Sequence, residues 1–222
     1  MSERVKIILD KNADILRLPA IALRGLVVFP GNIIHFEVGR KKSIAAIEWA
    51  MSNNNAVFLT AQQDMDVEDP GFKDLYAYGV VAEVKQVLRV SDELVKVLVE
   101  GKYRAKLLTL DSSGRFLLAS TKAAALRGTK SVDSARVEAL VRSVKEAFEE
   151  YLSLNPRLSK DVVYTIITNE DAALLCDYIP ANLLLKYTDK QALLNEGTVS
   201  GRLEKLLESL RRETKILHIE KD

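Results

Sequence analysis

The segment from Val80 to Val99, VVAEVKQVLRVSDELVKVLV, decides the fold. Val80, Ala82, Val84, Gln86 and Leu88 occupy every second position, with Glu83, Lys85 and Arg89 between them. Successive side chains of a strand point to opposite faces, so this alternation predicts a strand with one buried face. Ser91-Asp92-Glu93 interrupts the pattern, and Val95, Val97 and Val99 resume it. The two runs predict a β-hairpin whose turn carries no glycine, which leaves the turn type open.

Outward from the hairpin the strand pattern continues. Tyr103, Ala105, Leu107 and Thr109 alternate, and Asp111 to Gly114 turns the chain into Phe116 to Ser120. Upstream, Leu18 to Leu23 and Leu26 to Phe29 are apolar runs stopped by Pro30-Gly31. Ile34, Phe36 and Val38 alternate with His35 and Glu37, and Val57-Phe58-Leu59 reads as a short buried strand. Ile44, Ile47 and Met51 recur at helical spacing, in a helix that opens at Ser43 or a few residues earlier. Many short strands with one interposed helix predict a curled, barrel-like sheet over residues 1–122.

Residues 123–222 read as helices. Val137, Leu140, Val141, Val144, Phe148, Tyr151 and Leu152 form one apolar stripe from Ser134 to the stop at Asn155-Pro156. Ser159 opens a second helix, Asn169-Glu170-Asp171 a third, and Thr188 to Gln191 matches a capping box for a fourth. The last helix carries Leu203, Leu207, Leu210, Thr214 and Leu217 on a seam averaging about 3.5 residues. No Gly or Pro stops it before Asp222, which is the pattern of a helix leading into further chain. The expected class is α+β: a β-rich domain, then a helical bundle with a long C-terminal helix.

Composition bounds the function. Lys and Arg number 32 against 31 acids, so the chain lacks the charge excess of a protein that grips phosphate backbones. Cys176 is the single cysteine, in an apolar run, and reads as an inert buried thiol. Met1 to Lys11 lacks the apolar core of a secretion signal, and no run is long enough to cross a bilayer. Gly128-Thr129-Lys130-Ser131 lacks the spacing of a phosphate-binding loop and reads as an inter-domain loop. His35 and His218 have no neighbouring ligand at metal spacing. Asp64, Asp66, Glu68 and Asp69 lack the glycine and terminal glutamate of a calcium loop. Ser159 and Lys160 are adjacent on a helix and point to different faces, so they form no dyad. No catalytic, metal or cofactor residue is predicted.

The residues also carry a family pattern. Leu18-Pro19, Leu23-Arg24-Gly25, Phe29-Pro30-Gly31, Gly39-Arg40 and Ser43-Ile44 resemble the opening of Lon protease N-terminal domains. Asp74-Leu75-Tyr76, Gly79-Val80, Glu100-Gly101 and Arg202 to Leu207 continue the resemblance in order, from about Leu18 onward. Without a secretion signal or a membrane-length run the chain reads as cytoplasmic, and the resemblance implies a PUA-like β-domain followed by a helical bundle, in a catalytically silent region. It implies that the ATP-binding loop and Ser-Lys dyad lie downstream of this chain. It further implies binding of unfolded or degron-bearing proteins and support of hexamer assembly.

The residues expected to hold such substrates are Leu26, Pro30, Ile33 and Ile34 around the Phe29-Pro30-Gly31 turn, with Leu88 and Val90 near the hairpin tip; the plainer reading makes them core. Leu203, Leu207, Leu210 and Leu217 could pair with another copy, although packing within their own bundle is preferred. Lys85, Arg89, Lys96, Arg104 and Lys106 supply a basic strand face for RNA, but Glu83 and Glu100 interrupt it, and a solvated face is expected.

Overall fold

The computed structural model describes residues 15–128 and 134–221. The sequence readings at Met1 to Lys11 and at Thr129 to Ser131 lie outside them. The chain divides into two compact units, residues 1–125 and 126–222, three residues beyond the boundary expected from composition.

Unit 1 contains strands β1 (Leu16–Leu23), β2 (Ile33–Val38), β3 (Ala56–Ala61), β4 (Tyr78–Ser91), β5 (Leu94–Asp111) and β6 (Leu117–Ala123). Helix α1 (Lys41–Asn53) lies between β2 and β3 in sequence, and packs on β1 and β3. The sheet order is β2-β5-β4-β3-β1-β6, and β5 also pairs with β6. That second pairing closes five strands on themselves and leaves β2 outside the ring, so the barrel-like expectation holds. Leu18, Phe58, Leu75, Val81, Tyr103, Leu107 and Leu117 fill its interior together with five alanines. Small residues at these positions let strands approach in a narrow barrel.

Closure depends on β-bulges. The β4–β5 register slips between Val81 and Ala82, between Val84 and Gln86, and between Arg89 and Ser91, and β5–β6 slips between Leu107 and Thr109. Each bulge adds a residue to one strand and sharpens the local twist, which curls the sheet. The hairpin turns through Asp92-Glu93. Among the described non-glycine residues only Asn55 has positive φ, so this is neither of the mirror-image hairpin turns.

The run Leu26 to Phe29 forms no strand, contrary to its apolar pattern. Val27, Val28 and Phe29 are nevertheless buried, in a loop clamped to β5. Gly31 N–H donates to Gly101 O at 2.8 Å, and Gly101 N–H donates to Asn32 O at 2.9 Å. A Cβ on Gly101 would stand 2.3 Å from Phe29 O, so only glycine permits this approach.

Unit 2 comprises α2 (Ser134–Leu154), α3 (Lys160–Thr168), α4 (Ala172–Asn182), α5 (Tyr187–Asn195) and α6 (Val199–Lys221). Ser159 caps α3 by accepting from Val162 N–H, and Asp171 caps α4 by accepting from Ala173 and Leu174 N–H. The capping box expected at Thr188 is not formed. Helix α5 opens at Tyr187 with Lys186 as an N-cap that makes no side-chain bond, and buried Gln191 donates to Asn195 Oδ1 instead. Arg136 of α2 reaches Glu204 of α6, and about four turns on, Glu150 meets His218. The same order on both helices means that α2 and α6 run parallel, with α3 to α5 as the crossover. Buried Val144, Phe148 and Tyr151 of α2 face buried Leu203, Leu206, Leu210 and Thr214 of α6.

Candidate functional site

Unit 1 offers an exposed face on β2, β5 and β4. Residues opposite each other in an antiparallel ladder share a face, so the register fixes its rows. Ile33, Glu100 and Glu83 form the first row; His35, Leu98 and Gln86 the second; Glu37, Lys96 and Leu88 the third. The opposite face carries Ile34, Val99 and Val84, then Phe36, Val97 and Val87.

The bulge at Lys85 creates this arrangement. Simple alternation places Val84, Gln86 and Leu88 together. Lys85 is an extra residue between Val84 and Gln86, so Val84 is buried while Gln86 and Leu88 turn outward. Leu88 is 58% exposed, Ile33 63%, and Val90, the extra residue of the next bulge, 52%. His35, Gln86, Leu88, Lys96 and Leu98 line a shallow cavity of about 270 Å³.

A charge cluster borders this strip. Glu83 and Glu100 stand opposite each other, where like charges repel. Lys85 Nζ lies 2.7 Å from Glu83 Oε2 and 2.8 Å from Glu100 Oε2; Lys102 Nζ lies 2.9 Å and 2.7 Å from the same atoms. Both lysines are bulge residues, placed where the two carboxylates need them. Burial pushes the Glu83 carboxyl up, but hydrogen bonds from Lys85 and Lys102 outweigh it and hold the group below its ordinary value. Hydrogen bonds from Lys102 and Lys85 lower Glu100 likewise. The same two carboxylates raise the Lys85 ammonium.

The six residues expected to form one substrate patch do not form one. Ile33 and Leu88 share the outer face, and Val90 is exposed beyond them. Ile34 sits on the opposite face and is half-buried. Leu26 is half-buried and lines a different cavity, of about 450 Å³, with Phe36 and Val38. Pro30 is half-buried in the loop clamped by Gly101. Sequence reasoning missed His35 and Leu98, which the ladder sets beside Leu88. Their signal, a histidine flanked by Ile34 and Phe36 and a leucine between two valines, is legible only once the register is known.

The basic residues read as a strand face are largely engaged. Arg89 meets Glu48 at 2.7 Å, and Lys96 meets Glu37 at 3.4 Å. Arg104 is 6% exposed, lies 3.9 Å from the centre of the Tyr78 ring, and donates to Ala124 O. In unit 2, Leu203 and Leu210 are fully buried, in keeping with the preferred reading of the seam as packing within its own bundle. Leu207 and Leu217 are half-buried. Cys176 is buried and its thiol is pushed up to about 12 by desolvation, so it stays protonated. Among the described residues no group of His, Cys, Asp and Glu side chains gathers for a metal ion, and no helix is long and apolar enough to cross a membrane.

Residues 17–212 match the family model described as the ATP-dependent protease La (LON) substrate-binding domain. The chain belongs to the Lon substrate-binding domain family. It is 37% identical over 210 residues to a Lon protease of Desulforamulus reducens, covering 95% of this chain. It is 36% identical over 211 residues to that of Escherichia coli strain K12. In both cases it spans 26% of the relative's length, and the matched family region is the substrate-binding one. Its fold is that of the N-terminal domain of a Mycobacterium avium complex Lon protease, with a TM-score of 0.71 at 20% identity, covering 88% of this chain and 98% of that one. A Lon N-terminal domain protein from Xanthomonas campestris aligns with a TM-score of 0.60 at 15% identity, covering 87% of this chain and 98% of that one.

Proposed function

We propose that this chain holds unfolded or degron-bearing polypeptides for a Lon-type ATP-dependent protease, using the outer strip of Ile33, Leu98, Leu88 and Val90. The observation that carries this reading is the exposure of Ile33, Leu88 and Val90, with half-buried Leu98 between the strand positions of Ile33 and Leu88, beside a satisfied charge cluster. Exposed apolar surface suits a binder of varied sequences, because its attraction follows buried area and requires no fixed partner geometry. In this reading the chain contributes recognition, and hydrolysis belongs to regions of a Lon-type protease other than the quarter or so that this chain matches. Support of hexamer assembly is a further role expected of the parent, through surfaces other than the buried Leu203 and Leu210.

Fluorescence anisotropy of a labelled, permanently unfolded protein, titrated with this chain, tests the reading against the same protein in native form. Saturable binding of the unfolded form alone, persisting in moderate salt, is expected. Leu88→Ser combined with Leu98→Ser should weaken it about thirtyfold, since each aliphatic group contributes roughly 1 kcal/mol when half its surface is covered. Unchanged affinity in the double variant would remove the strip from the mechanism.

A further inference from the structure

The larger cavity of unit 1 lies on the other side of β2. Ile21 to Leu23 at the end of β1, Leu26, Phe36 to Val38 of β2, and Ser43 in the first turn of α1 line its volume of about 450 Å³. That size falls within the range of ligand sites, and it opens to solvent. Leu23, Leu26, Phe36 and Val38 make apolar walls, while Arg24 and Arg40 bring two guanidinium groups to the same lining.

Among the described residues these arginines have only uncharged hydrogen-bond partners. Arg40 donates to Ala22 O at 3.2 Å, to Val67 O at 3.3 Å and to Gln62 Oε1, and Arg24 donates to Val67 O at 3.4 Å. Among the described residues neither forms an ion pair with a carboxylate. The acids in the neighbourhood are Glu37, paired with Lys96 at 3.4 Å; Asp69, paired with Lys42 at 3.0 Å; and Glu68. Burial lowers the Arg40 group, repulsion from Arg24 lowers it further, and Asp69 and Glu68 act in the opposite sense. An arriving carboxylate would relieve that repulsion and find planar donors suited to it.

We infer that this cavity is a second polypeptide subsite that takes an acidic side chain flanked by aliphatic or aromatic residues, with Arg24 and Arg40 on the carboxylate and Leu23, Leu26 and Phe36 on the apolar neighbours. The inference rests on the proposed function insofar as the ligand is a polypeptide. It adds a charge preference that the apolar strip does not supply. Because the cavity is open, a chain can pass across it, and the carboxylate is that of an internal Asp or Glu.

The test uses this chain with three labelled peptides of leucines and serines. The first has blocked termini and one central glutamate; the second replaces that glutamate by glutamine; the third is the glutamine peptide with a free C-terminal carboxylate. Wild-type protein should bind the glutamate peptide about fivefold tighter than its glutamine twin, the scale of one partly exposed charged contact, and added salt should shrink the difference. Arg24→Gln should abolish the preference. Arg24 is exposed and makes a single long hydrogen bond, so this variant keeps its fold, which Trp49 fluorescence checks. Leu88→Ser should weaken both blocked peptides equally and leave the preference intact. Equal binding of the blocked twins by wild type would overturn the subsite while leaving substrate holding in place. A preference that survives Arg24→Gln would overturn it as well. If the free-ended glutamine peptide matches the glutamate peptide, the cavity reads chain ends and the assignment to an internal acid fails. Binding of none of the peptides would refute both readings together.

Discussion

Replacing Gly101 by alanine should loosen the Phe29-Pro30-Gly31 loop from the barrel. The new Cβ would stand 2.3 Å from Phe29 O and 3.2 Å from a Val80 methyl. Ordinary carbon–oxygen contacts begin near ~3.3 Å, so the loop must retreat by about 1 Å. That strains both clamp hydrogen bonds, Gly31 N–H to Gly101 O and Gly101 N–H to Asn32 O, each contributing about 1 kcal/mol. Partial uncovering of Phe29, fully buried in the native loop, adds about 1 kcal/mol. Alanine is favoured over glycine within a strand by roughly 0.5–1 kcal/mol, which offsets part of the loss. The expected net destabilisation is about 2–3 kcal/mol. Trp49 is the single tryptophan and lies in unit 1, so urea unfolding followed by its fluorescence reports this unit. The midpoint should fall by about 1–2 M. Gly114→Ala is the control, because its Cβ meets nothing nearer than Phe116 O at 3.7 Å, and its midpoint should not move. A Gly101→Ala midpoint within about 0.3 M of wild type, at unchanged slope, would refute the close-approach argument.

Three other outcomes are expected. Arg202 is fully buried, paired with Asp177 and donating to Glu196 O at 3.1 Å, so Arg202→Ala should destabilise unit 2 by about 3–5 kcal/mol, read by loss of helical circular dichroism on heating. Thr214 is 4% exposed and its hydroxyl has no hydrogen-bond partner among the described residues; Thr214→Val should therefore raise thermal stability by roughly 1 kcal/mol, and a lowered midpoint would mean that the hydroxyl is satisfied. Glu83 and Glu100 lie below their ordinary value of 4.5, so their contribution is present above that pH and is lost as pH falls through the depressed folded-state values. The stability gap between wild type and Glu83→Gln, measured by urea unfolding, should be widest near neutrality and close on acidification below 4.5; a gap independent of pH would contradict the charge cluster.

What the sequence determined by itself was local. Two-residue alternation and helical stripes are set within a few positions, so Ile34, Phe36 and Val38 read correctly as a strand face and Val141, Val144 and Phe148 as a helix face. Ser159 showed itself as a cap for the same reason, since its hydroxyl meets a backbone group three residues away. The order of motifs from Leu18 onward carried the family resemblance. Tertiary structure decided which face each residue took. The bulges at Lys85 and Lys102 belong to a ring of five strands of unequal length that curls until β5 meets β6, a closure condition that leaves no periodic trace in any one strand. One extra residue reverses every side chain after it, which turned Leu88 outward and set His35 and Leu98 beside it. The same long-range packing buried Arg104 against Tyr78 and the α6 seam against α2. Periodicity records that a side has been hidden, whereas register and closure alone record what hides it.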